Sequence, residues 1–272
     1  MQRLKQASVP VQNIILNSVY LDREVLVDIY LPPFELANRS TSLLIINDGQ
    51  DLPKFHFDTM LMSLYETNEL KPVFCVGIHC STDRKMEYGT VNPTDYKGRG
   101  AKARLHQQFV LNELIPFIKA NFQNEFKEKA YAGFSLGGLS AIDTVWNYPG
   151  EFSKVGVFSG SLWWRSKDLH HGYNEDRDRI IHKIVREGNF KPGLKFYFTT
   201  GSLDEKMDRN HNGIIDSIDD TLGLVDELEK KGYKNGIDIQ YINYEDGRHD
   251  VKTWGRAMPD FLKWGWERSQ IK

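Results

Sequence analysis

The sequence predicts an α/β protein in which helices cover both faces of a mostly parallel sheet of about eight strands. Three observations lead to this prediction. Short apolar runs alternate with longer helical patterns along the 272 residues, which is typical of repeated strand–helix–strand units. Two extended segments come first and are joined by a tight polar step, which favours an antiparallel hairpin. No repeat, low-complexity tract or linker divides the chain, so we expect one domain over residues 1–272.

The individual elements follow from the spacing of the apolar residues. The hairpin is predicted at Asn13–Leu21 and Glu24–Leu31. Apolar runs predict further strands at Leu43–Asn47, Val73–Ile78, Ala130–Phe134, Val155–Ser159, Phe196–Thr200 and Ile239–Tyr244. Helical spacing predicts helices at Ala103–Phe122, Gly138–Asn147, Asp219–Lys231 and Thr253–Glu267. The insertions 88–100 and 163–193 follow strands at the carboxyl edge of the sheet, where ligands bind in such folds, so we expect both to shape a substrate site.

The composition argues against several classes of partner. The formal net charge is -2, so no nucleic-acid partner is expected. No apolar run approaches the roughly 20 residues of a membrane helix, and the polar first residues do not resemble a secretory signal. We therefore expect a cytoplasmic protein that does not contact a membrane. Cys75 and Cys80 are expected to be free thiols, because their odd spacing places them on opposite faces of a strand.

The segment YAGFSLGG at 131–138 is the strongest indication of chemistry. A bare G-x-S-x-G is a weak signal, but here an apolar strand enters it and a helix rich in small residues leaves it. Gly133 and Gly137 would let the backbone turn sharply and hold Ser135 in a strained conformation. The pattern therefore predicts a nucleophilic serine at a strand–helix turn; a glycine-rich helix start that merely packs tightly is the alternative.

A serine nucleophile needs a base and a carboxylate that orients the base, and in this fold they follow in the order Ser, Asp or Glu, His. His249 lies directly after the last predicted strand and before the last helix, where the base is expected. The preceding strand is followed by a loop that offers Asp204 and Glu205, of which we favour Asp204. The oxyanion formed on attack would be bound by the backbone N–H groups of Leu136 and Gln50, the latter in an Asp-Gly turn after the first central strand.

The chain resembles a known family, the enterochelin-esterase and esterase D group of esterases within the α/β-hydrolase superfamily. The resemblance depends on NDGQD at 47–51, RKMEY at 84–88, the YAGFSLGG segment, VGVFSGSLWW from 155, GSLDE at 201–205 and GRHDVKTWGRAMPDFLKW from 247, in this order over nearly the whole chain. It implies an α/β-hydrolase fold and hydrolysis of a small-molecule carboxylic ester, without a catalytic cofactor. It also implies that Ser135, Asp204 and His249 form a triad. Members of the group differ in reaction, from the hydrolysis of siderophore lactones, of feruloyl and acetyl esters and of formyl thioesters to mycolyl transfer.

Three further residues are candidates for substrate binding. Arg84 precedes the first insertion and could contact the ligand, although a buried pair with Glu87 is an equal alternative. Trp163 and Trp164 follow a strand end and could stack against an aromatic acyl or sugar group; packing in the core or in a lid is the alternative.

The segment from Asp208 to Asp219 has the spacing of a calcium loop. Oxygen donors stand at positions 1, 3, 5, 9 and 12, with glycine at position 6. The expected ligands are Asp208, Asn210, Asn212, the Ile214 carbonyl, Asp216 and Asp219. The departure is an Asp at position 12 in place of Glu, and an ordinary Asn/Asp-rich loop is the alternative. A structural Ca²⁺ here would hold the neighbouring acid loop in place.

Taken together, the residues predict a serine esterase that acts through an acyl-enzyme. An acyltransferase that uses the same triad is the alternative within enzymes, and a catalytically silent hydrolase fold used for binding is the alternative outside them. The sequence indicates neither the particular ester nor an oligomeric state.

Overall fold

The computed structural model describes residues 7–33, 42–122 and 124–268. Its centre is an eight-stranded sheet in the order β1-β2-β4-β3-β5-β6-β7-β8. The strands are β1 (Val11–Ser18), β2 (Arg23–Tyr30), β3 (Ser42–Asn47), β4 (Val73–Ile78), β5 (Glu128–Phe134), β6 (Lys154–Phe158), β7 (Lys195–Leu203) and β8 (Ile239–Arg248). β2 is antiparallel to both β1 and β4, and every later pairing is parallel. The predicted mostly parallel sheet with an antiparallel start is confirmed.

The helices connect the parallel strands. They are α1 (Phe57–Glu66), α2 (Arg84–Glu87), α3 (Ala103–Phe109), α4 (Ile115–Phe122), α5 (Leu136–Asn147), α6 (Glu175–Asp178), α7 (Ile180–Glu187), α8 (Asp216–Lys231) and α9 (Val251–Trp266). A 3₁₀ helix, Gly49–Phe55, follows β3. None of the described helices is both long enough and apolar enough to cross a bilayer.

Two apolar clusters cover the two faces of the sheet, as predicted for a doubly covered α/β sheet. The first contains side chains of α3, α4, α5, α7 and α8, with Phe109, Ile142 and Leu228 among its fully buried residues. The second contains α1 and α9, with Leu61 and Phe261 near its centre. The parallel strands β3 and β4 are buried along their whole length, because helices lie above and below them.

Some boundaries differ from the prediction. The helix predicted at Ala103–Phe122 is interrupted by a π-helical turn at Val110–Leu114, which periodicity does not reveal. β7 runs to Leu203, beyond the predicted end at Thr200, so the acidic pair follows the strand directly. Cys75 is buried, Cys80 is partly buried, and both are free, as expected.

Candidate active site

Ser135 lies between β5 and α5 in a conformation that an L-residue seldom adopts. Its φ is 54° and its ψ is −118°, so the strained backbone expected of this residue is present. The Ser135 amide donates to the Phe158 carbonyl at 2.8 Å, and the Ser135 carbonyl accepts from the Ser161 amide at 3.0 Å. These bonds to the end of β6 hold the turn in place and offset the strain.

The loops that carry Asp204 and His249 are brought together by close backbone packing. A Cβ on Gly201 would lie 2.4 Å from the carbonyl carbon of Gly247, so the ends of β7 and β8 approach more closely than any other residue type would allow. The Asp204 carboxylate accepts from the Gly201 amide through Oδ2 at 3.0 Å. Its Oδ1 atom is buried and has no hydrogen-bond partner. One acceptor of Asp204 is thus uncommitted.

A cavity of about 250 Å³ contains all three side chains of the predicted triad. Its lining consists of Ser135, Ser159, Gly160, Ser161, Trp163, Asp204, Glu205, Ser217 and His249. The Ser135 hydroxyl lies 3.2 Å from the Ser161 hydroxyl, with which it shares a hydrogen bond. Within the described residues, no hydrogen bond links Ser135, Asp204 and His249 to one another; catalytic bonds in ligand-free enzymes are often long and tighten only when substrate binds.

The electrostatics of the cavity distinguish the two acidic candidates. Burial lowers the pKa of His249 below its usual value; Asp204 opposes this effect, Arg84 adds to it, and Asp250 also opposes it. Glu205 is not among the charges that act on His249. Of the two acidic candidates, Asp204 is therefore the one whose charge affects the pKa of His249.

The turn expected to supply the second oxyanion donor packs against the start of α5. A Cβ on Gly137 would lie 2.7 Å from Asp48 Oδ2, so the side chain of Asp48, two residues before Gln50, packs directly against the backbone that follows Leu136. Leu136 opens its helix, where N–H groups have no partner within the helix. The Gln50 side chain is engaged elsewhere, since its Oε1 atom accepts from the Cys80 amide at 3.1 Å. Gly49 permits a close approach, but to the backbone of Gly77.

Arg84 forms a different ion pair from the one considered in the sequence. Its guanidinium donates twice to Asp48, with both N–O distances at 2.7 Å, and also to the Phe134 carbonyl at 3.3 Å. Glu87 pairs instead with Arg23 at 2.7 Å. Arg84 therefore connects the Asp48 turn to the strand that carries the nucleophile, and its side chain is 29% exposed.

The two tryptophans occupy different environments. Trp163 lines the cavity. Trp164 is fully buried and does not line it; its ring packs where a Cβ on Gly89 would lie only 2.8 Å away. The first insertion contributes no lining residue, but its Arg99 lies over the Trp163 ring at 5.1 Å and so supports that wall from behind.

Sequence reasoning missed the polar residues that complete the cavity. Ser159, Gly160 and Ser161 follow β6 directly, and Ser217 lies in the first turn of α8. The position of the first three after a parallel strand, at the edge where ligands bind, is a signal that could have found them. Nothing in the sequence around Ser217 indicates that this residue lines the cavity.

The predicted calcium loop is folded around hydrogen bonds between its own side chains and backbone. Asp208 accepts from the amides of Asn212 and Gly213 at 3.1 and 2.9 Å. The amide nitrogens of Asn210 and Asn212 donate to Asp219 at 2.9 and 3.1 Å. Those two amide groups would have to rotate before their oxygens could face a cation held by Asp219.

A second feature separates Asp216 from the other expected ligands. The Asp216 carboxylate accepts from the Arg209 amide at 2.8 Å and pairs with the Arg209 guanidinium at 3.3 Å. Within the described residues, no group of three or more His, Cys, Asp and Glu side chains is arranged to hold a metal. The oxygens of Asn210, Asn212 and the Ile214 carbonyl would therefore have to complete the site, and calcium binding stays a prediction.

Calcium binding is tested by the melting temperature. If the loop binds Ca²⁺, saturating calcium is expected to stabilise the fold, by about 2.7 kcal/mol at a hundred times Kd, because the ion would bind only the folded loop. Thermal unfolding is measured in EGTA and in calcium, with the variant Asp208→Asn as the control that should lose the difference. Identical melting curves, with no calcium found by elemental analysis, would contradict the prediction.

Comparisons with known proteins show the family of this chain. A family model described as "Putative esterase" matches residues 18–264. Among curated proteins, the uncharacterized protein YbbA of Bacillus subtilis is 26% identical over 249 residues, which are 87% of this chain and 90% of that protein. The esterase Rv1288 of Mycobacterium tuberculosis is 38% identical over 56 residues, which are 20% of this chain and 12% of that protein.

Solved structures share the fold. The enterobactin esterase FES from Shigella flexneri, crystallised in the presence of enterobactin, superposes with a TM-score of 0.71 at 23% identity and covers 96% of this chain. The chain spans 60% of the length of that esterase. An IroE-like serine hydrolase from Shewanella oneidensis gives a TM-score of 0.69 at 22% identity, over 94% of this chain and 80% of that one. These likenesses confirm the predicted α/β-hydrolase fold.

Proposed function

The chain belongs to the esterase family whose model spans residues 18–264, and from this premise we propose that it is a serine carboxylic-ester hydrolase. Ser135 is the proposed nucleophile, His249 the general base, and Asp204 the carboxylate that orients His249. One observation carries the proposal: the strained backbone of Ser135 at the end of β5, in the same cavity as the side chains of His249 and Asp204. This combination is what nucleophilic catalysis by a serine requires.

In the proposed reaction, the Ser135 hydroxyl leaves its bond with Ser161 and attacks the ester carbonyl carbon while His249 takes its proton. The amides of Leu136 and Gln50 bind the oxyanion of the tetrahedral intermediate. The intermediate collapses to an acyl-enzyme as the alkoxide leaves with the proton of His249. Water then attacks the acyl carbon and gives a proton to His249. The second tetrahedral intermediate breaks its bond to Ser135, which takes the proton back from His249, and the acid is released.

Covalent labelling tests the proposal. A fluorophosphonate is expected to modify Ser135, because an activated serine displaces its fluoride and becomes phosphonylated, and mass spectrometry of the digested protein locates the adduct. A panel of p-nitrophenyl, feruloyl, acetyl and enterobactin esters would then be screened, with competing alcohols to separate hydrolysis from acyl transfer. No adduct at Ser135, together with no hydrolysis of the panel, would favour the binding-protein alternative.

The identity of the acid is tested by replacing each candidate with its amide. Asp204→Asn is expected to lower kcat by about ten-thousand-fold with little change in folding, because an amide favours the wrong tautomer of the base. Steady-state kinetics on one p-nitrophenyl ester, with circular dichroism to check the fold, measures this loss. If Glu205→Gln caused the larger and uniform loss, the role would pass to Glu205.

The pH dependence of kcat/KM is expected to show an acidic limb with its midpoint below pH 6.5. Burial lowers the pKa of His249 from 6.5, so the imidazole stays neutral and able to accept a proton until the pH falls below that value. Rates on a neutral ester, measured across this range, locate the limb. A limb near pH 7 that vanishes in Glu205→Gln would assign it to the carboxyl and contradict the expectation.

A further inference from the structure

One wall of the cavity around Ser135 is acidic. Glu205 lines this wall together with Asp204 and Ser217, and no lysine or arginine among the described residues lines the cavity. The backbone of Ser217 favours the ionised form of the Glu205 carboxylate. The Ser217 hydroxyl belongs to a residue that is only 7% exposed, and it has no hydrogen-bond partner. This wall therefore holds polar groups that the chain itself leaves unsatisfied.

Arg209 and Arg179 form ion pairs with carboxylates other than Glu205. Arg209 is 4% exposed, donates to Glu175 at 2.6 Å and also pairs with Asp220. Arg179 pairs with Asp220 at 3.1 Å. All the charges that act strongly on Glu205 are carboxylates. Among the described residues, no cationic side chain forms an ion pair with Glu205, so a donor on a ligand would be its first charged or hydroxyl partner.

These surroundings raise the pKa of Glu205 to about 7. Burial is the largest cause, Asp216 is the next, and Asp220 and Asp204 act in the same direction. His249 faces the same cavity from the loop after β8. A donor that binds here would stabilise the ionised carboxylate and lower its pKa toward the usual range.

We propose that Glu205 determines substrate specificity by accepting a hydrogen bond from an ammonium or hydroxyl group that the ester carries a few bonds from its carbonyl carbon. The proposal rests on the proposed hydrolase function of Ser135. Glu205 and Ser135 line the same cavity of about 250 Å³, so a substrate bound at Ser135 lies beside Glu205.

This role differs from that of the triad acid. An acid that orients His249 affects the hydrolysis of every ester by the same factor, because it acts through the base. A group that recognises the substrate changes the ratio between esters that carry a donor and those that do not. The ratio is therefore the informative quantity.

Three p-nitrophenyl esters with the same number of heavy atoms in the acyl group provide the test: the esters of butanoic acid, β-hydroxypropanoic acid and β-alanine. On the unaltered full-length protein, kcat/KM for one or both donor-bearing esters is expected to exceed that of the butanoyl ester by about tenfold. The advantage of the β-alanyl ester should grow as the pH rises through about 7, because the Glu205 carboxyl then ionises. Dividing by kcat/KM for the butanoyl ester removes the effect of His249 ionisation, which all three esters share.

Two variants distinguish the donors. Glu205→Gln keeps an acceptor but removes the charge, so the β-alanyl advantage should fall by about tenfold while the hydroxyl advantage remains. Glu205→Met removes the acceptor as well as the charge. It should abolish the advantage of the β-alanyl ester and that of the hydroxyl ester, mainly by raising KM. Glu187→Gln, at a carboxylate that is 67% exposed, is the matched control and should leave all ratios unchanged.

The outcomes separate this inference from the proposed function. If the unaltered protein hydrolyses the esters but the ratios lie near one, only the role of Glu205 is overturned. The same conclusion follows if Glu205→Met lowers all three esters by one common factor. If Ser135 labels with a fluorophosphonate yet the donor-bearing esters are disfavoured, the inference fails while the function stands; no hydrolysis of any ester and no labelling would defeat the function itself.

Discussion

Ser135→Ala is expected to lower kcat for ester hydrolysis by about a million-fold, to a residual rate that the oxyanion hole and substrate binding still hold about a thousand-fold above the uncatalysed one. The Ser135 hydroxyl oxygen is the atom that bonds to the acyl group in the proposed mechanism. Removing such a nucleophile lowers kcat by about as much as removing the whole triad. Alanine adds no bulk in the cavity and retains the φ of 54°, so the fold should persist. The measurement is kcat on the best p-nitrophenyl ester of the panel, with thermal melting alongside.

The matched control for this variant is Ser140→Ala. Ser140 lies one turn further along α5 and is 2% exposed, so it is a buried serine of the same helix outside the cavity. Its replacement should leave kcat within a few-fold of the unaltered protein. Hydrolysis that survives in Ser135→Ala at near the normal rate would assign the chemistry to another group.

Gly133→Ala is expected to destabilise the fold by about 3 kcal/mol or more and to remove activity with it. A Cβ on Gly133 would lie 2.4 Å from both the carbonyl carbon and the carbonyl oxygen of Gly137, and 2.9 Å from the Gly138 nitrogen. All three are backbone atoms of α5, so no side chain can rotate to make room. The helix would have to move away from β5, and Ser135 would move with it.

Gly150→Ala provides the comparison for this prediction. A Cβ at Gly150 meets nothing within 4 Å, so the change should alter the free energy of unfolding by no more than about 0.5 kcal/mol. Chemical denaturation of both variants measures the difference, and a fluorophosphonate reports whether Ser135 is still reactive. A Gly133→Ala protein as stable as the Gly150→Ala protein would contradict the close packing of strand and helix.

Much of the fold is predictable because it depends on local periodicity. Runs such as Val73–Ile78 are buried on both faces, and such continuous apolar runs are typical of central parallel strands. The turn at Ser135 is also visible in the sequence, because its geometry requires glycine at Gly133 and a helix start directly afterwards. The π-helical turn at Val110–Leu114 cannot be seen in the sequence, because it changes the backbone without changing the apolar pattern.

The sequence by itself therefore determined the α/β architecture and the positions of Ser135, Asp204 and His249 directly after β5, β7 and β8. The tertiary structure alone decided which neighbouring groups meet. Trp163 lines the cavity while Trp164 lies in the core, and Arg84 pairs with Asp48 rather than with Glu87. It likewise placed Glu205 in the cavity near the carboxylates of Asp216, Asp220 and Asp204, which raise its pKa. The reason is physical: periodicity reports which side of an element is buried, whereas partners and charges depend on segments far apart in the chain that only the packed sheet brings together.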